Sequence, residues 1–401
     1  MSAHNFAGFL QLPLFAALCL LAPALCAQED ARSNFIGASL STAFDSNVTR
    51  APEGGGAQGS GIETASLLAG FDHTYGRENL SASAQLGRVL YRQMAPYDYT
   101  SEDVRLRLKS SLPANIETDF KVTRTQQLTP LADLTTIRRN VFIQNLVDGS
   151  ATFPVGALEW RALIGADALQ VRNSNDIDRL TDMNMAEVTG GLRYQSGSEN
   201  NVDFVFRTQH ASYPDGAQTV FATGAYQDRA ADLRTKWRIS GASALEGRIG
   251  YIQRRYDNLV ALDFAGPAYD LTYRWTPGAK TTLTLFALRA TGAPGDSNYL
   301  AAVAHTYRVS PAYLLSEYIH LDAHYEWTGL HYFGDTILQA PGQTTQIARI
   351  DAVNNAGISA VWRARRWLNV TIEAHREQRN SNIAIWDYTD RVATLTLASK
   401  F

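Results

Sequence analysis

The sequence predicts a transmembrane, antiparallel, up-and-down β-barrel of about 16 to 18 strands. Three observations lead to this fold class. Apolar and polar side chains alternate along most of the chain from Asn34 to Phe401, turn residues interrupt the alternation at regular intervals, and aromatic residues recur on the apolar face. The alternative is a soluble protein of stacked sheets, whose charged faces would point outward and whose apolar faces would enclose a dry core.

The alternation places charged ladders on one face and apolar ladders on the other. This pattern favours a barrel. The apolar rows, which have aromatic residues at their ends, would form a lipid-facing band, and the charged rows would line a water-filled lumen. Val104, Leu106 and Leu108 alternate with Arg105, Arg107 and Lys109. Leu233, Thr235, Trp237 and Ile239 alternate with Asp232, Arg234, Lys236 and Arg238. Tyr273 and Trp275 flank Arg274, and Leu321, Ala323, Tyr325 and Trp327 alternate with His320, Asp322, His324 and Glu326.

Short turns and longer polar stretches divide the chain into hairpins. Each interval between two short turns, about 35 to 55 residues, holds two strands and one long loop, as in outer-membrane barrels. Both termini are therefore expected on the periplasmic side. Short turns are predicted at Tyr75–Glu78, Leu112–Asn115, Phe153–Gly156, Ser196–Glu199, Ser240–Ser243, Pro277–Ala279, Ser310–Ala312 and Ala364–Arg366. Long loops are predicted at Asn47–Gly61, Arg172–Asp182, Tyr213–Tyr226 and Gly329–Thr345.

Residues 1–27 are predicted to be a secretory signal peptide, which leaves residues 28–401 as the barrel. Residues 6–27 contain no charged side chain, and the apolar run ends at Ala27 before Gln28 and Glu29. An uncleaved membrane anchor and a lipoprotein acylated at Cys26 are the alternatives. Both cysteines lie in this segment, so the remaining chain has no thiol for disulfides, catalysis or metal binding.

The bulk charge and the end of the chain add two expectations. A net charge of −3 gives no basic surface of the kind that binds nucleic acid. Leu395, Leu397 and Phe401 share one face of the last predicted strand, and this pattern resembles the terminal signal that the outer-membrane assembly machinery recognises. Outer-membrane lipid and that machinery are the partners expected of such a protein, and no cofactor is expected.

The first predicted strand ends in a motif that resembles a known family. Phe44, Asp45, Asn47 and Arg50 are similar to the first-strand motif of EpsL-type exopolysaccharide biosynthesis proteins of the outer membrane, although Ser46 replaces that motif's second acidic residue. Further similarities lie at Gly247–Tyr251, Asp263–Gly266 and Trp275–Lys280. The resemblance implies a barrel that makes or exports a surface polysaccharide with the help of periplasmic export proteins, and it implies no catalytic residues.

Charged side chains on the polar face are the candidate lumen residues. A path for a hydrated, anionic glycan is one interpretation, because arginine binds carboxylates reversibly. Cross-strand ion pairs that only brace the wall are the other. The basic candidates are Arg105, Arg107, Lys109, Arg234, Lys236, Arg238, Arg248 and Arg274. His320, Asp322, His324 and Glu326 form a further row, either a metal or proton site or, as we expect, a solvated wall.

Three functions remain open from the sequence. The first is an outer-membrane component of exopolysaccharide biosynthesis and export, a role that the resemblance implies and for which we expect a channel. The second is a general or substrate-specific diffusion porin. The third is a non-conducting scaffold for periplasmic polysaccharide machinery. An enzyme is not expected, because no Ser, His and carboxylate stand in a consistent register.

Overall fold

The chain forms a closed antiparallel sheet of 18 strands, which confirms the predicted fold class. A computed structural model describes residues 34–131, 138–156, 159–196, 200–215, 225–258, 260, 263–292, 301–333 and 348–401. Each strand pairs with its neighbour in the chain, and β1 pairs with both β2 and β18. Closure of the sheet satisfies the backbone N–H and C=O groups that an open edge would expose to lipid. The predicted signal peptide lies outside the described residues.

The strands are 12 to 16 residues long, which is sufficient to cross a bilayer at the usual tilt of barrel strands. They are β1 Asn34–Asp45, β2 Ser60–Tyr75, β3 Glu78–Tyr91, β4 Tyr99–Leu112, β5 Ile116–Leu128, β6 Val141–Pro154, β7 Trp160–Asn173, β8 Met183–Gln195, β9 Asn201–Ser212, β10 Tyr226–Ser240, β11 Ser243–Tyr256, β12 Phe264–Trp275, β13 Thr281–Gly292, β14 Ala301–Ser316, β15 Ile319–Phe333, β16 Ile350–Arg365, β17 Leu368–Ser381 and β18 Tyr388–Lys400. Short 3-10 segments lie at Ala95–Tyr97, Pro113–Asn115, Asp178–Thr181 and Ala384–Trp386.

Alternation along each strand separates an apolar outer face from a polar inner face. On β18, Leu395 and Leu397 are about two-fifths exposed, whereas Asp390 is fully buried. The same division holds on β17, where Ile372 is exposed and Glu377 is buried. Large apolar side chains that are exposed in the isolated chain would contact acyl chains, so their exposure is what a lipid-facing surface requires.

The two ends of the barrel differ in the length of their connections. At one end the connections are short, such as Gly76–Arg77 between β2 and β3 and Gly241–Ala242 between β10 and β11. At the other end they are longer, such as residues 46–59 between β1 and β2. Barrels of this kind place short turns in the periplasm and long loops outside the cell. On that assignment β1 begins and β18 ends on the periplasmic side.

The turn predicted at Ser310–Ala312 is wrong. Strand β14 continues to Ser316, and the connection to β15 falls at Glu317 and Tyr318. Pro311 suggested a turn, but the strand tolerates it because Pro311 still pairs with Leu283 on β13. Only the ladder to β15 is interrupted at this point, where proline has no N–H to donate.

Aromatic side chains line the outer face near the short-turn end. Trp367 stacks on Phe401 at a centroid distance of 5.7 Å, and both side chains are exposed. On β2, Phe71, His73 and Tyr75 form a similar column. Such side chains are typical of the boundary between the acyl chains and the headgroups. Among the described residues, no helix is long and apolar enough to cross a membrane.

Candidate functional site

A polar cavity of about 800 Å³ lies inside the barrel, between the short-turn end and mid-height. Its wall is built from β2–β11, and its lining is rich in charge of both signs. The cationic lining residues are Arg77, Arg107, Lys109, Lys121, Arg193, Arg234, Lys236 and Arg248, and the acidic ones are Glu78, Glu117, Asp119, Asp148, Asp167, Glu187, Asp203 and Glu246. The volume falls within the roughly 300–1,000 Å³ of small-molecule sites.

Several of the predicted basic residues form ion pairs with carboxylates of the barrel wall, on a neighbouring strand or on their own strand. Arg107 Nε donates to Asp119 Oδ1 at 2.8 Å, across the β4–β5 pair. Arg105 makes a two-pronged contact with Asp103 on its own strand, at 2.8 and 2.7 Å. These guanidinium groups are directed at carboxylates of the wall, so the bracing interpretation applies to them.

A buried cluster at mid-height centres on Asp232. Arg207 Nε donates to Asp232 Oδ2 at 2.9 Å, and its Nη1 donates to Glu187 at 2.9 Å. Arg248 and Arg234 approach the same carboxylate oxygen at 3.4 and 3.6 Å. Asp232, Arg207 and Arg248 are all buried, so the cluster braces β8–β11, and its cations are already partly neutralised.

Lys109 and Lys236 differ from these paired residues. Both line the cavity, and neither has an ion pair with a carboxylate among the residues that the structure describes. Asp119 lies opposite Lys109 but is bonded to Arg107, and Glu246 lies opposite Lys236 without forming a pair. The two ammonium groups therefore carry positive charge that the wall does not neutralise at short range.

Arg238 and Arg274 lie on inward-facing positions near the short-turn end. Arg238 continues the row of Arg234 and Lys236, and Arg274 shares its face with Asp270 on β12. Both are exposed, and neither lines the cavity nor forms an ion pair within the described ranges. Their position suggests the periplasmic mouth of the lumen rather than its wall at mid-height.

The row on β15 faces inward; His320 and Asp322 contact each other, whereas His324 and Glu326 contact residues of neighbouring strands. His320 Nε2 lies 3.6 Å from Asp322 Oδ1, His324 Nε2 is 2.9 Å from Asn355 Oδ1, and Arg308 Nε donates to Glu326 at 2.7 Å. In the described part of the chain, no three His, Cys, Asp or Glu side chains form a group that could hold a metal ion. His320 and Asp322 are partly exposed, whereas Glu326 is buried against Arg308, so the row combines a solvated part with a braced part.

The first-strand motif lies at the seam where the barrel closes. Arg50 Nη1 is 3.0 Å from Asp45 Oδ2 on β1, and its Nη2 is 2.9 Å from Asp390 Oδ2 on β18. Asn47 Nδ2 donates to the Thr389 carbonyl at 3.1 Å. The motif thus connects the first and last strands, whereas Phe44 faces outward and is exposed.

Ser46 and the backbone of Arg50 complete this seam. Ser46 Oγ bonds to Asp390 Oδ1 at 3.2 Å and accepts the Arg391 amide at 2.8 Å, so it forms a neutral link at the seam. Arg50 has a φ of +52°, a left-handed conformation that non-glycine residues rarely adopt. Burial lowers the pKa of the Arg50 guanidinium, but Asp45, Asp390, Tyr388 and Glu377 together raise it more, so the net shift is upward and the group stays charged.

The predicted assembly residues face outward at the end of β18. Leu395, Leu397 and Phe401 are all exposed, and Phe401 packs on Trp367 as described above. Recognition of this face by the assembly machinery remains a prediction.

Sequence reasoning missed the aromatic and arginine stacks in the half of the lumen nearest the long loops. Arg254 makes two bonds of 2.8 Å to Asp228 and lies 3.7 Å from the ring centroid of Tyr226. Across the barrel, Arg349 lies 3.6 Å from the Trp386 ring. Alternation could have placed Asp228 and Arg254 on the inner face, but their register across two strands is visible only in the folded sheet.

The architecture defines the class of fold: a porin-like β-barrel with an apolar exterior and a charged interior, which is consistent with the Gram-negative outer membrane. A family model described as "Putative beta-barrel porin 2" matches residues 238–401, which is less than half of the chain.

Solved structures share the fold over nearly the whole chain. Pseudomonas aeruginosa OccK9 (OpdG) superposes with a TM-score of 0.51 at 13% identity, covering 92% of this chain and 98% of the porin. Pseudomonas aeruginosa OccK2 (OpdF), solved in complex with glucuronate, gives 0.50 at 11% identity, covering 92% and 96%. No curated protein matches significantly in sequence.

Proposed function

We propose that the barrel conducts hydrated, anionic carbohydrate across the outer membrane and serves as the exit channel of an exopolysaccharide secretion system. The observation that carries the proposal is the pair Lys109 and Lys236, two cations that line one polar cavity and have no carboxylate partner within the described ranges. A sugar acid would replace the water around them and could leave again, because a lysine ammonium binds as a compact, hydrated point charge.

The surrounding wall supports passage rather than tight binding. Most cavity cations are already paired, as with Lys121 and Asp148 at 3.0 Å and Arg193 and Asp203 at 2.7 Å. A few cations without carboxylate partners attract anions into the lumen but bind each anion only weakly. Conduction requires that an ion can both enter the lumen and leave it again. The glucuronate bound to OccK2 suggests a suitable probe, since it is a sugar carboxylate.

Neutralising the two lysines tests the conducting part of the proposal. In planar bilayers under a salt gradient, Lys109→Gln with Lys236→Gln should shift the reversal potential toward cation preference and weaken block by added glucuronate. Lys280→Gln is the matched control, because Lys280 is exposed in the β12–β13 turn and does not line the cavity. Unchanged selectivity and block in the double variant would remove the role of this pair.

The polysaccharide setting needs a separate test, because it rests on the resemblance of the first-strand motif. Deleting the gene should reduce secreted polymer, and expression of the wild-type chain should restore it. Undiminished polymer would favour the second candidate, a diffusion porin for small acidic solutes. The overall fold shared with OccK2 and OccK9 favours that candidate independently of the motif.

A further inference from the structure

Two arginines lie directly opposite each other on the outer face of the barrel. Arg376 on β17 and Arg391 on β18 are cross-strand partners. Their neighbours Glu377 and Asp390 are buried on the inner face, so alternation directs both arginines outward, and both are exposed. Like charges directly opposite on a sheet destabilise it, unless something of opposite charge lies between them.

The pair lies at the upper edge of the lipid-facing band. Arg391 is separated from Phe401 by ten positions of the same strand. At about 3.3 Å per residue and a tilt of about 40°, this separation corresponds to roughly 25 Å along the membrane normal. The apolar band of such barrels is about 25 Å tall. Because Phe401 and Trp367 mark the lower boundary, the two guanidinium groups reach the headgroups of the outer leaflet.

The described residues supply no carboxylate to this pair. Arg376 donates to Gln378 at 3.1 Å, and neither arginine has an ion pair with a carboxylate in the ranges that the structure describes. On the outer rim near β2–β5, by contrast, two arginines are matched by acids: Arg92 by Glu63 and Arg124 by Glu102. A ligand from outside the chain can supply the counter-charge that Arg376 and Arg391 lack among these residues.

The same side of the barrel is cationic over many strands. Outward positions of β9–β18 that the structure describes hold no Asp or Glu. At the level of the pair they carry further basic side chains, which are Arg229, Arg255, Arg289, His210, His305 and His331. A one-sided cationic rim directly above an apolar surface is complementary to an amphiphile with a phosphorylated headgroup and acyl chains.

We propose that Arg376 and Arg391 bind a phosphate group of a phosphorylated lipid in the outer leaflet. The planar guanidinium forks suit phosphate oxygens, and one phosphate between them relieves the like-charge contact. The acyl chains lie against the apolar side chains below, among them Ile372 and Leu395, which are exposed on the same face. This site is on the exterior and is independent of conduction through the lumen.

Lipid binding to the purified, folded barrel tests the proposal. Bisphosphorylated lipid A is titrated into the detergent-solubilised protein, and bound lipid is counted by native mass spectrometry. Arg376→Gln with Arg391→Gln should weaken binding about tenfold or more. Arg124→Gln, which removes the same charge from a guanidinium already paired with Glu102, should leave binding unchanged. Heat-modifiable migration on gels verifies that each variant is folded.

Two further arms identify the ligand chemistry. Dephosphorylated lipid A should bind equally to the wild type and to the double variant, because this lipid has no phosphate for the two arginines to contact. Inorganic phosphate at the same concentration should not compete, because it lacks the acyl chains. Equal lipid A binding by wild type and double variant would overturn the proposal, as would full binding of the dephosphorylated lipid or displacement by inorganic phosphate.

Discussion

Removal of Arg50 should strongly destabilise the barrel, because its guanidinium holds the closing seam between β1 and β18. It neutralises Asp45 and Asp390 at 3.0 and 2.9 Å, and Asp390 is fully buried. In Arg50→Ala both carboxylates would lose this partner while still out of water. Breaking a buried pair from one side costs about 3 to 5 kcal/mol. At 1.4 kcal/mol per factor of ten, this reduces the folded-to-unfolded ratio by more than about a hundredfold.

The assay is reversible denaturant unfolding in lipid vesicles, followed by tryptophan fluorescence. Arg92→Ala is the control, since Arg92 and Glu63 form an exposed pair that should contribute only about 0 to 1 kcal/mol. Adding Asp390→Asn to Arg50→Ala should recover part of the loss, because one uncompensated charge disappears. If Arg50→Ala is no less stable than Arg92→Ala, the seam does not depend on this cation.

Three further predictions concern other parts of the barrel. Asp232→Asn leaves Arg207 and Arg248 buried without their shared carboxylate, so the unfolding free energy should fall by about 3 kcal/mol or more. Asp103→Asn is the control and should change the unfolding free energy little, because the Asp103 side chain is partly exposed. Gly247→Ala should destabilise β11, because φ is +152° and the new Cβ would lie 2.0 Å from the Asp270 carbonyl oxygen. Gly190→Ala, with open space around it, is the control in the same denaturant unfolding assay. Raising the salt concentration from about 0.1 to 1 M should reduce the anion preference of single channels, because the Debye length falls from about 10 to 3 Å, and a preference that does not change would argue against charge selection.

The fold could be predicted because the alternation that produces it can be seen within single segments of the sequence. Alternation along one strand determines which side chains meet lipid, so Leu395 and Asp390 could be assigned to opposite faces from the sequence alone. The number of strands followed from the spacing of turns, since each short turn closes one hairpin. The turn prediction at Ser310–Ala312 failed for a different reason. Proline usually marks a turn, but strand β14 accommodates Pro311 because this residue pairs with Leu283 on β13.

The pairing of charges could not be predicted in the same way. Arg107 and Lys109 are equivalent in the sequence, yet only Arg107 has a bonded carboxylate, because Asp119 on β5 turns toward it. Which cation remains unpaired depends on the register and on side-chain reach between strands. Likewise, Arg50 resembles a family motif in sequence, but its contact with Asp390 joins residues separated by nearly the whole chain.

Alternate residues of each strand meet lipid on the outside of the barrel and water on the inside. Residues 34–401 contain no cysteine, so single cysteines report on one position each. In vesicles open to a charged, membrane-impermeant thiol reagent, Lys236→Cys should be labelled rapidly, because Lys236 lines the lumen cavity, and Ile358→Cys should be protected, because Ile358 is exposed on the outer face. Equal labelling of the two variants would contradict a barrel with a wet interior and a lipid-covered exterior.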